Sequence, residues 1–345
     1  MTAAGTGLAK RETQPRITIY WGGEAMKKIL IVQPIHERGV RVFDESFEVR
    51  VASDPSVATV IKEIKGVEGV VVRMAPFTRE IIEAAGSLKV IGRHGVGVDT
   101  IDVKAATERG IVVTNTPEAN ALSVAEHTIT AIGALAKRMT LYNRAIREGG
   151  WEIRNSYQAV DLDAKTLGLV GIGRIGSLVA RKAAAAFNMR VIAFDPYVAP
   201  DKAREMGITL VAAMDDVFRQ ADCVSLHTPL TPETRRLVNA GRLGLMKPTA
   251  FLVNFSRGEV VDEKALYEAL KGGVIAGAAI DVYDPEPPAN DNPLYELDNI
   301  ILSPHSAALT QECVIRMATG AAEGVVDVLT GKRPQFVVNP EVFKK

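Results

Sequence analysis

Cysteine is nearly absent: Cys223 and Cys313 are the only two in 345 residues, far apart and in no C-x-x-C pair. That scarcity argues against a disulfide framework or a thiolate zinc site and fits a reducing cytoplasm. Neither sign of charge is in excess, since 41 Lys and Arg face 41 Asp and Glu. No global field then draws the chain to nucleic acid or to an anionic membrane, and a ligand must be recognised by local groups. No apolar run reaches the length of a membrane span. Residues 1–25 lack a long apolar core, so they do not read as a secretory signal. They read as a loose extension ahead of Met26 and the strand-like Lys27-Lys28-Ile29-Leu30-Ile31-Val32.

What the chain does have is the length for two domains, each with its own core. Hydrophobic residues make up 47% and charged residues 24%, the balance of a globular protein. Short apolar runs rich in β-branched residues, Ile29–Val32, Phe47–Val51, Val70–Val72, Val90–Arg93 and Ile111–Thr114, read as buried strands. Helix-like stretches lie between them, near Val57–Lys65, Thr78–Ala85 and Val103–Arg109, with Ser56 and Thr78 as candidate caps. Such alternation predicts an α/β fold with a parallel sheet covered on both faces. One long apolar helix is expected from Ala121 to Arg147, ended by Gly149-Gly150. A second α/β unit follows, with strands expected at Leu167–Val170, Arg190–Phe194, Cys223–Leu226, Phe251–Asn254, Ala276–Ile280 and Ile300–Leu302. A final helix is expected at about Gln311–Leu329.

Gly171-Ile172-Gly173-Arg174-Ile175-Gly176 stands between an apolar strand and an apolar helix. Gly171 permits the tight turn, Gly173 lets the backbone approach a pyrophosphate, and Gly176 lets helix and strand pack closely. The helix N-terminus offers free N–H donors to the phosphates. The next strand ends in Asp195, placed to accept hydrogen bonds from a ribose diol and to repel a 2′-phosphate. NAD is therefore expected over NADP.

Hydride transfer from such a cofactor to a carbonyl beside a carboxylate would need a cation for the carboxylate, a proton donor for the carbonyl oxygen, and an anion to keep that donor charged. Arginine, histidine and a carboxylate suit these tasks. Of five histidines, His36 and His94 lie on loops or strand ends, and His127 sits in the long helix, where a core or cap role fits better. His227, before Thr228-Pro229, has the address of a residue lining the cofactor groove. His305 follows the last apolar strand, Arg257 follows Phe251–Asn254, and Glu286 follows the strand ending at Asp281. Three such groups beyond three strands of one sheet can converge, because α/β sheets bind ligands at the C-terminal ends of their strands. Each alone could equally be a surface charge.

In this order, Gly171–Gly176, Asp195, Asn254-Phe255-Ser256-Arg257-Gly258, Ala279-Ile280-Asp281-Val282, Glu286-Pro287 and Ser303-Pro304-His305 resemble the D-isomer-specific 2-hydroxyacid dehydrogenases, in particular the phosphoglycerate dehydrogenase and hydroxypyruvate/glyoxylate reductase branch. The resemblance runs from about Lys27 to Pro340. It implies that Arg257 binds substrate carboxylate and carbonyl, that His305 is the acid/base, and that Glu286 pairs with it. It further implies that Asp281 orients the nicotinamide carboxamide, that Arg174 and Ile175 belong to the pyrophosphate turn, and that Thr228 and Pro229 line the cofactor groove. His94-Gly95-Val96-Gly97-Val98-Asp99 resembles the family's substrate loop, in which the N–H groups of Val96 and Gly97 hold the carboxylate. The implied architecture has two Rossmann-like or flavodoxin-like parallel-sheet domains with the active site in a cleft between them. Residues 26–119 and 308–345 would bind substrate, and residues 120–307 would form an inserted NAD-binding domain. A homodimer through the latter would occupy the long apolar helix. No metal is implied.

Some residues depart from the pattern. Ser306-Ala307-Ala308 replaces a common Ile-Gly-Gly, and Phe255 stands where a small residue is common. Arg73 matches a position that meets the substrate's far end in phosphoglycerate dehydrogenases, but Ala75 replaces a second arginine, and Phe77 is a further candidate for that pocket. The regulatory domains of longer phosphoglycerate dehydrogenases are not seen. These departures weigh against a phosphorylated substrate. Two other readings share the scaffold: an NAD-sensing corepressor-like binding protein, which keeps the same triad, and a formate-oxidising enzyme, which the Arg257/Glu286/His305 set fits less well.

Overall fold

The computed structural model describes residues Met26–Lys344, so the expectation of a loose extension over 1–25 lies outside the described residues. The chain divides into two compact units. One runs up to Asn115 and resumes at Ala318; the other is Thr116–Met317.

In the first unit, β1 (Lys27–Ile31), β2 (Phe47–Val51), β3 (Gly69–Val72), β4 (Val90–Arg93) and β5 (Val112–Thr114) form a parallel sheet in the order β2-β1-β3-β4-β5. β3 and β4 are buried at every position, as a parallel strand covered on both faces must be. Successive side chains alternate between two cores. Leu30, Val70, Val72 and Ile91 pack with Val60, Ile64, Ile81 and Ile82 on one face. Ile29, Ile31, Val71 and Val90 pack with Ala321, Ala322, Val325 and Leu329 on the other. The latter four belong to the Gln311–Leu329 helix. Later in the sequence, the fully buried Asn339 donates to Thr107 Oγ1 and Ile111 O and accepts from Val113 N, all at 2.8–2.9 Å.

The second unit holds β6 (Thr166–Val170), β7 (Arg190–Phe194), β8 (Thr209–Leu210), β9 (Cys223–Leu226), β10 (Phe251–Asn254), β11 (Gly277–Ile280) and β12 (Ile300–Leu302). Its parallel sheet is ordered β12-β11-β10-β9-β6-β7-β8. Strand order reverses between β6 and β9, and the loops leaving such a switch point leave room for a ligand. In the first unit the same reversal falls between β1 and β3.

Three expectations need correction. The single helix over Ala121–Arg147 is two, Ala121–Ala136 and Met139–Arg147. The break is Arg138, left-handed at φ 52°, whose guanidinium leaves the helix to reach Ala276 O at 3.2 Å and the face of Phe251. Ser56 and Thr78 do precede helices, but neither side chain bonds a helix N–H; Ser56 Oγ meets Thr59 Oγ1 instead. Phe77 is fully buried in the core of the first unit and cannot line a substrate pocket.

Candidate active site

Three consecutive strand ends of the second sheet carry the charged groups. Beyond β10, the buried Asn254 shapes the turn: its Oδ1 accepts from Ser256 N and Ser256 Oγ, and its Nδ2 donates to Arg257 O at 2.8 Å. This fixes the backbone of Arg257, whose guanidinium donates to Ser256 O at 2.7 Å. Beyond β11, Glu286 sits in the Pro-rich loop, where its Oε1 accepts from Tyr283 N at 3.0 Å. Beyond β12, His305 Nδ1 lies 2.7 Å from Glu286 Oε2. Burial pushes the Glu286 pKa up, but the His305 hydrogen bond and charge, the Tyr283 N–H and the Arg257 charge together hold it below the usual carboxylate range. The Tyr283 phenol donates to Ser303 O at 2.9 Å and, chiefly through burial, is pushed up to about 12, so it stays a neutral donor.

His305 itself is held in the left-handed region, φ 51°. Asp281, 1% exposed, builds that turn. Its backbone oxygen accepts from His305 N at 2.8 Å. Its carboxylate accepts from Ser303 Oγ at 2.6 Å and from the N–H groups of Ser306 and Ala307 at 2.8 Å each. The carboxylate expected to face a nicotinamide amide thus holds three protein donors. On the far side of Ser303, His127 Nε2 lies 3.4 Å from the hydroxyl, and its ring meets Phe255 edge-on at 4.9 Å. Phe255, a departure at the sequence level, is what packs that imidazole.

The glycine turn lies at the switch point. Gly171 has φ 89°, and a Cβ there would come within 2.7 Å of His227 O. A Cβ on Gly176 would overlap Gly171 O, whereas Gly173 faces open space. Arg174 opens the Arg174–Phe187 helix with its side chain exposed, 3.9 Å from Glu118, and Ile175 packs on the core. Asp195 Oδ2 accepts from Ile172 N and Oδ1 from Tyr197 N, both at 2.9 Å, which ties the end of β7 to the turn. Neighbouring His227 bonds Ser225 Oγ at 3.0 Å, and burial holds its pKa down to about 4, so a neutral ring underlies the turn. Pro229 is exposed and its carbonyl accepts from Thr234 Oγ1. Thr228 Oγ1 is buried without a partner among the described residues, a hydroxyl suited to an added ligand. This set fits a dinucleotide: a helix N-terminus without Cβ obstruction at Gly173, an acid at the ribose position, and an orphan hydroxyl.

Arg73, Val96 and Gly97 belong to the first unit. Arg73 follows β3 and donates to Pro34 O at 2.9 Å. Val96 and Gly97, partly exposed, follow β4. The supporting roles of Asn254, Tyr283 and Ser303 do not follow from the sequence; the one available signal is a polar residue ending a buried strand, Asn254. Among the described residues no cluster of His, Cys, Asp or Glu could hold a metal, and no helix is long and apolar enough to cross a membrane.

Residues 129–307 match the family model for the D-isomer specific 2-hydroxyacid dehydrogenase, NAD binding domain. The D-3-phosphoglycerate dehydrogenase of Methanocaldococcus jannaschii is 44% identical over 315 residues, covering 91% of this chain and 60% of that protein. The glyoxylate reductase of Korarchaeum cryptofilum is 40% identical over 324 residues, covering 92% of this chain and 97% of its own. A crystal structure of a Thermus thermophilus protein superimposes with a TM-score of 0.83 at 36% identity, over 90% of this chain and 99% of that one. The fold is that of a two-unit parallel α/β protein, and the chain belongs to the D-isomer specific 2-hydroxyacid dehydrogenase family. It spans about six-tenths of the length of the archaeal phosphoglycerate dehydrogenase it matches.

Proposed function

We propose that the protein is a D-2-hydroxyacid dehydrogenase, transferring a hydride reversibly between NAD(H) and C2 of a small 2-keto or 2-hydroxy acid of the glyoxylate, hydroxypyruvate or phosphoglycerate type. The observation that carries this reading is the 2.7 Å pairing of His305 with a Glu286 kept anionic, beside Arg257. A paired imidazole is a proton donor near neutral pH, and a planar guanidinium holds a carboxylate in bidentate fashion.

Gly171, Gly173, Arg174, Ile175 and Gly176 would hold the pyrophosphate, Asp195 the ribose, and Thr228, Pro229 and Asp281 the rest of the groove. NADH, when bound, supplies the hydride. Arg257 and the N–H groups of Val96 and Gly97 fix the substrate carboxylate, with Arg73 a candidate for its far end. His305 gives its proton to the carbonyl oxygen during reduction and takes it back, as the neutral ring, during oxidation. Glu286 stabilises the imidazolium and holds the ring's orientation through Nδ1.

Residues 26–119 with 308–345 are proposed as the substrate-binding domain and 120–307 as the NAD-binding domain. The working form is proposed to be a cytoplasmic homodimer. Met139, Ile146, Trp151 and Tyr157, all more than half exposed, give the NAD-binding domain an apolar face for a second copy. Light scattering of Ile146→Glu and Trp151→Glu variants tests this face; an unchanged mass would remove it. The function is tested by NADH and NADPH oxidation with glyoxylate, hydroxypyruvate, pyruvate, phosphohydroxypyruvate and longer keto acids. Turnover with NADH is expected. Failure with every acid despite NADH binding would turn the reading toward a sensor of the cofactor.

A further inference from the structure

Arg93 ends β4 in the first unit, directly before the His94–Asp99 loop. It is 8% exposed, so its guanidinium has little surface to offer a substrate. It is spent on the loop instead. Nε donates to Gly97 O at 2.6 Å, Nη1 donates to His94 O, and Nη2 reaches Met74 Sδ at 3.6 Å. Gly95, at φ 128°, lies flat on the same guanidinium, where a Cβ would press within 3.2 Å of Nη1. From the end of β5, Asn115 Nδ2 donates to Val96 O at 2.8 Å. Met74 is held in turn, because its N–H and that of Ala75 both donate to Gln33 Oε1 at 2.8 Å.

In a trans peptide the carbonyl and the next N–H point in opposite directions. Holding His94 O and Gly97 O therefore fixes the peptides on both sides of the loop's tip. Holding Val96 O sets the direction of the Gly97 N–H. Among the described residues the N–H groups of Val96, Gly97 and Val98 donate to no group, and these three residues are partly exposed. Successive N–H groups turned to one side form an anion-binding concavity.

We propose that Arg93 and Asn115 are positioning residues that pull the carbonyls of this loop inward so that its N–H groups face the substrate carboxylate. The proposal deepens the dehydrogenase reading and rests on it for the identity of the anion. Arg93 works as a fork: two carbonyls and a sulfur are held by different nitrogens of one plane, which the single ammonium of lysine cannot reproduce.

The test uses the full chain. Arg93→Met and Arg93→Lys are each expected to raise the keto-acid KM about tenfold to a hundredfold, the worth of one or more well-aimed N–H bonds to a carboxylate. The NADH dissociation constant is expected to stay within about twofold of wild type, and the pH profile of kcat to keep its limbs. Asn115→Ala, a milder change that should fold if Arg93→Met does not, is expected to raise KM about threefold to tenfold. A wild-type KM in Arg93→Met or, should that variant not fold, in Asn115→Ala would overturn the proposal. So would full retention of KM in Arg93→Lys, since a point charge would then suffice, or an equal loss of NADH affinity. A second readout does not need turnover: in an amide-resolved NMR titration with oxamate, the Gly97 and Val98 N–H signals should shift in wild type, the Val98 shift should be lost in Arg93→Met and the Gly97 shift in Asn115→Ala. Shifts in a wild type that reduces no keto acid would leave the loop proposal standing and fail the dehydrogenase reading. Turnover without those shifts would do the reverse.

Discussion

Replacing Glu286 by glutamine keeps the shape and the contact to Tyr283 N but removes the charge 2.7 Å from His305 Nδ1. A hydrogen bond to a charged partner contributes about 1.5–3 kcal/mol. The two side chains are 29% and 37% exposed, so solvent screens the pair and the lower end, about 1.5 kcal/mol, applies. At 1.36 kcal/mol per factor of ten this is about a tenfold loss of rate wherever the charged ring is needed. The sign follows from which form each direction uses. Keto-acid reduction needs the imidazolium, so its rate falls along an alkaline limb, and Glu286→Gln moves that limb to lower pH. Oxidation needs the neutral ring, so its acid limb moves down as well. Glu286 itself titrates below the ordinary carboxylate range. The pairing is therefore present above the unfolded value of a glutamate and is lost as pH falls through the depressed one. Rates with NADH and hydroxypyruvate from pH 5 to 10, and the reverse reaction on the hydroxy acid, give both limbs. Limbs that coincide with wild type within about 0.3 units in both directions would refute the coupling.

His305→Gln should lower kcat about 10²- to 10⁴-fold while calorimetry finds NADH affinity unchanged; loss of NADH binding would place the ring in the cofactor site instead. Asp281→Asn turns an acceptor of Ser303, Ser306 and Ala307 into a group with one donor end, which should cost about 1–3 kcal/mol of stability by denaturant titration. The same variant should lower kcat more than NADH affinity, because the turn carrying His305 loosens; a loss confined to NADH affinity would assign Asp281 to the nicotinamide alone. Gly176→Ala places a methyl against Gly171 O. It should weaken NADH binding at least tenfold and cost about 1–3 kcal/mol of stability, and wild-type binding in that variant would show that the turn is softer than its packing implies.

Parallel strands are easy to read because each is a short β-branched run buried on both faces, as Val70–Val72 and Cys223–Leu226 are. The two-residue β8 at the sheet edge carries too little pattern to be seen. The break at Arg138 is hidden because its left-handed backbone is carried by an arginine rather than by the glycine or asparagine that usually marks one. The strand-end addresses of Arg257, Glu286 and His305 can be read, since a residue after a buried run must emerge at one edge of the sheet. What holds them there cannot. Asn254 acts within its own turn, but Tyr283 and Ser303 act through bonds between loops that no periodicity connects, and the packing of His127 by Phe255 exists only once two distant segments meet.

Part of the first unit's apolar covering comes from a segment some two hundred residues further on: Ala321, Ala322, Val325 and Leu329 close the face lined by Ile29, Ile31, Val71 and Val90. During synthesis those strands emerge first and wait bare through some two hundred residues, while every strand and helix of the Thr116–Met317 unit can already be paired. The nascent protein thus presents a greasy sheet to the ribosome's surroundings until the Gln311–Leu329 helix is made. A truncation at Met317 should leave a nucleotide-binding unit that folds and a five-stranded remnant that aggregates or recruits chaperones.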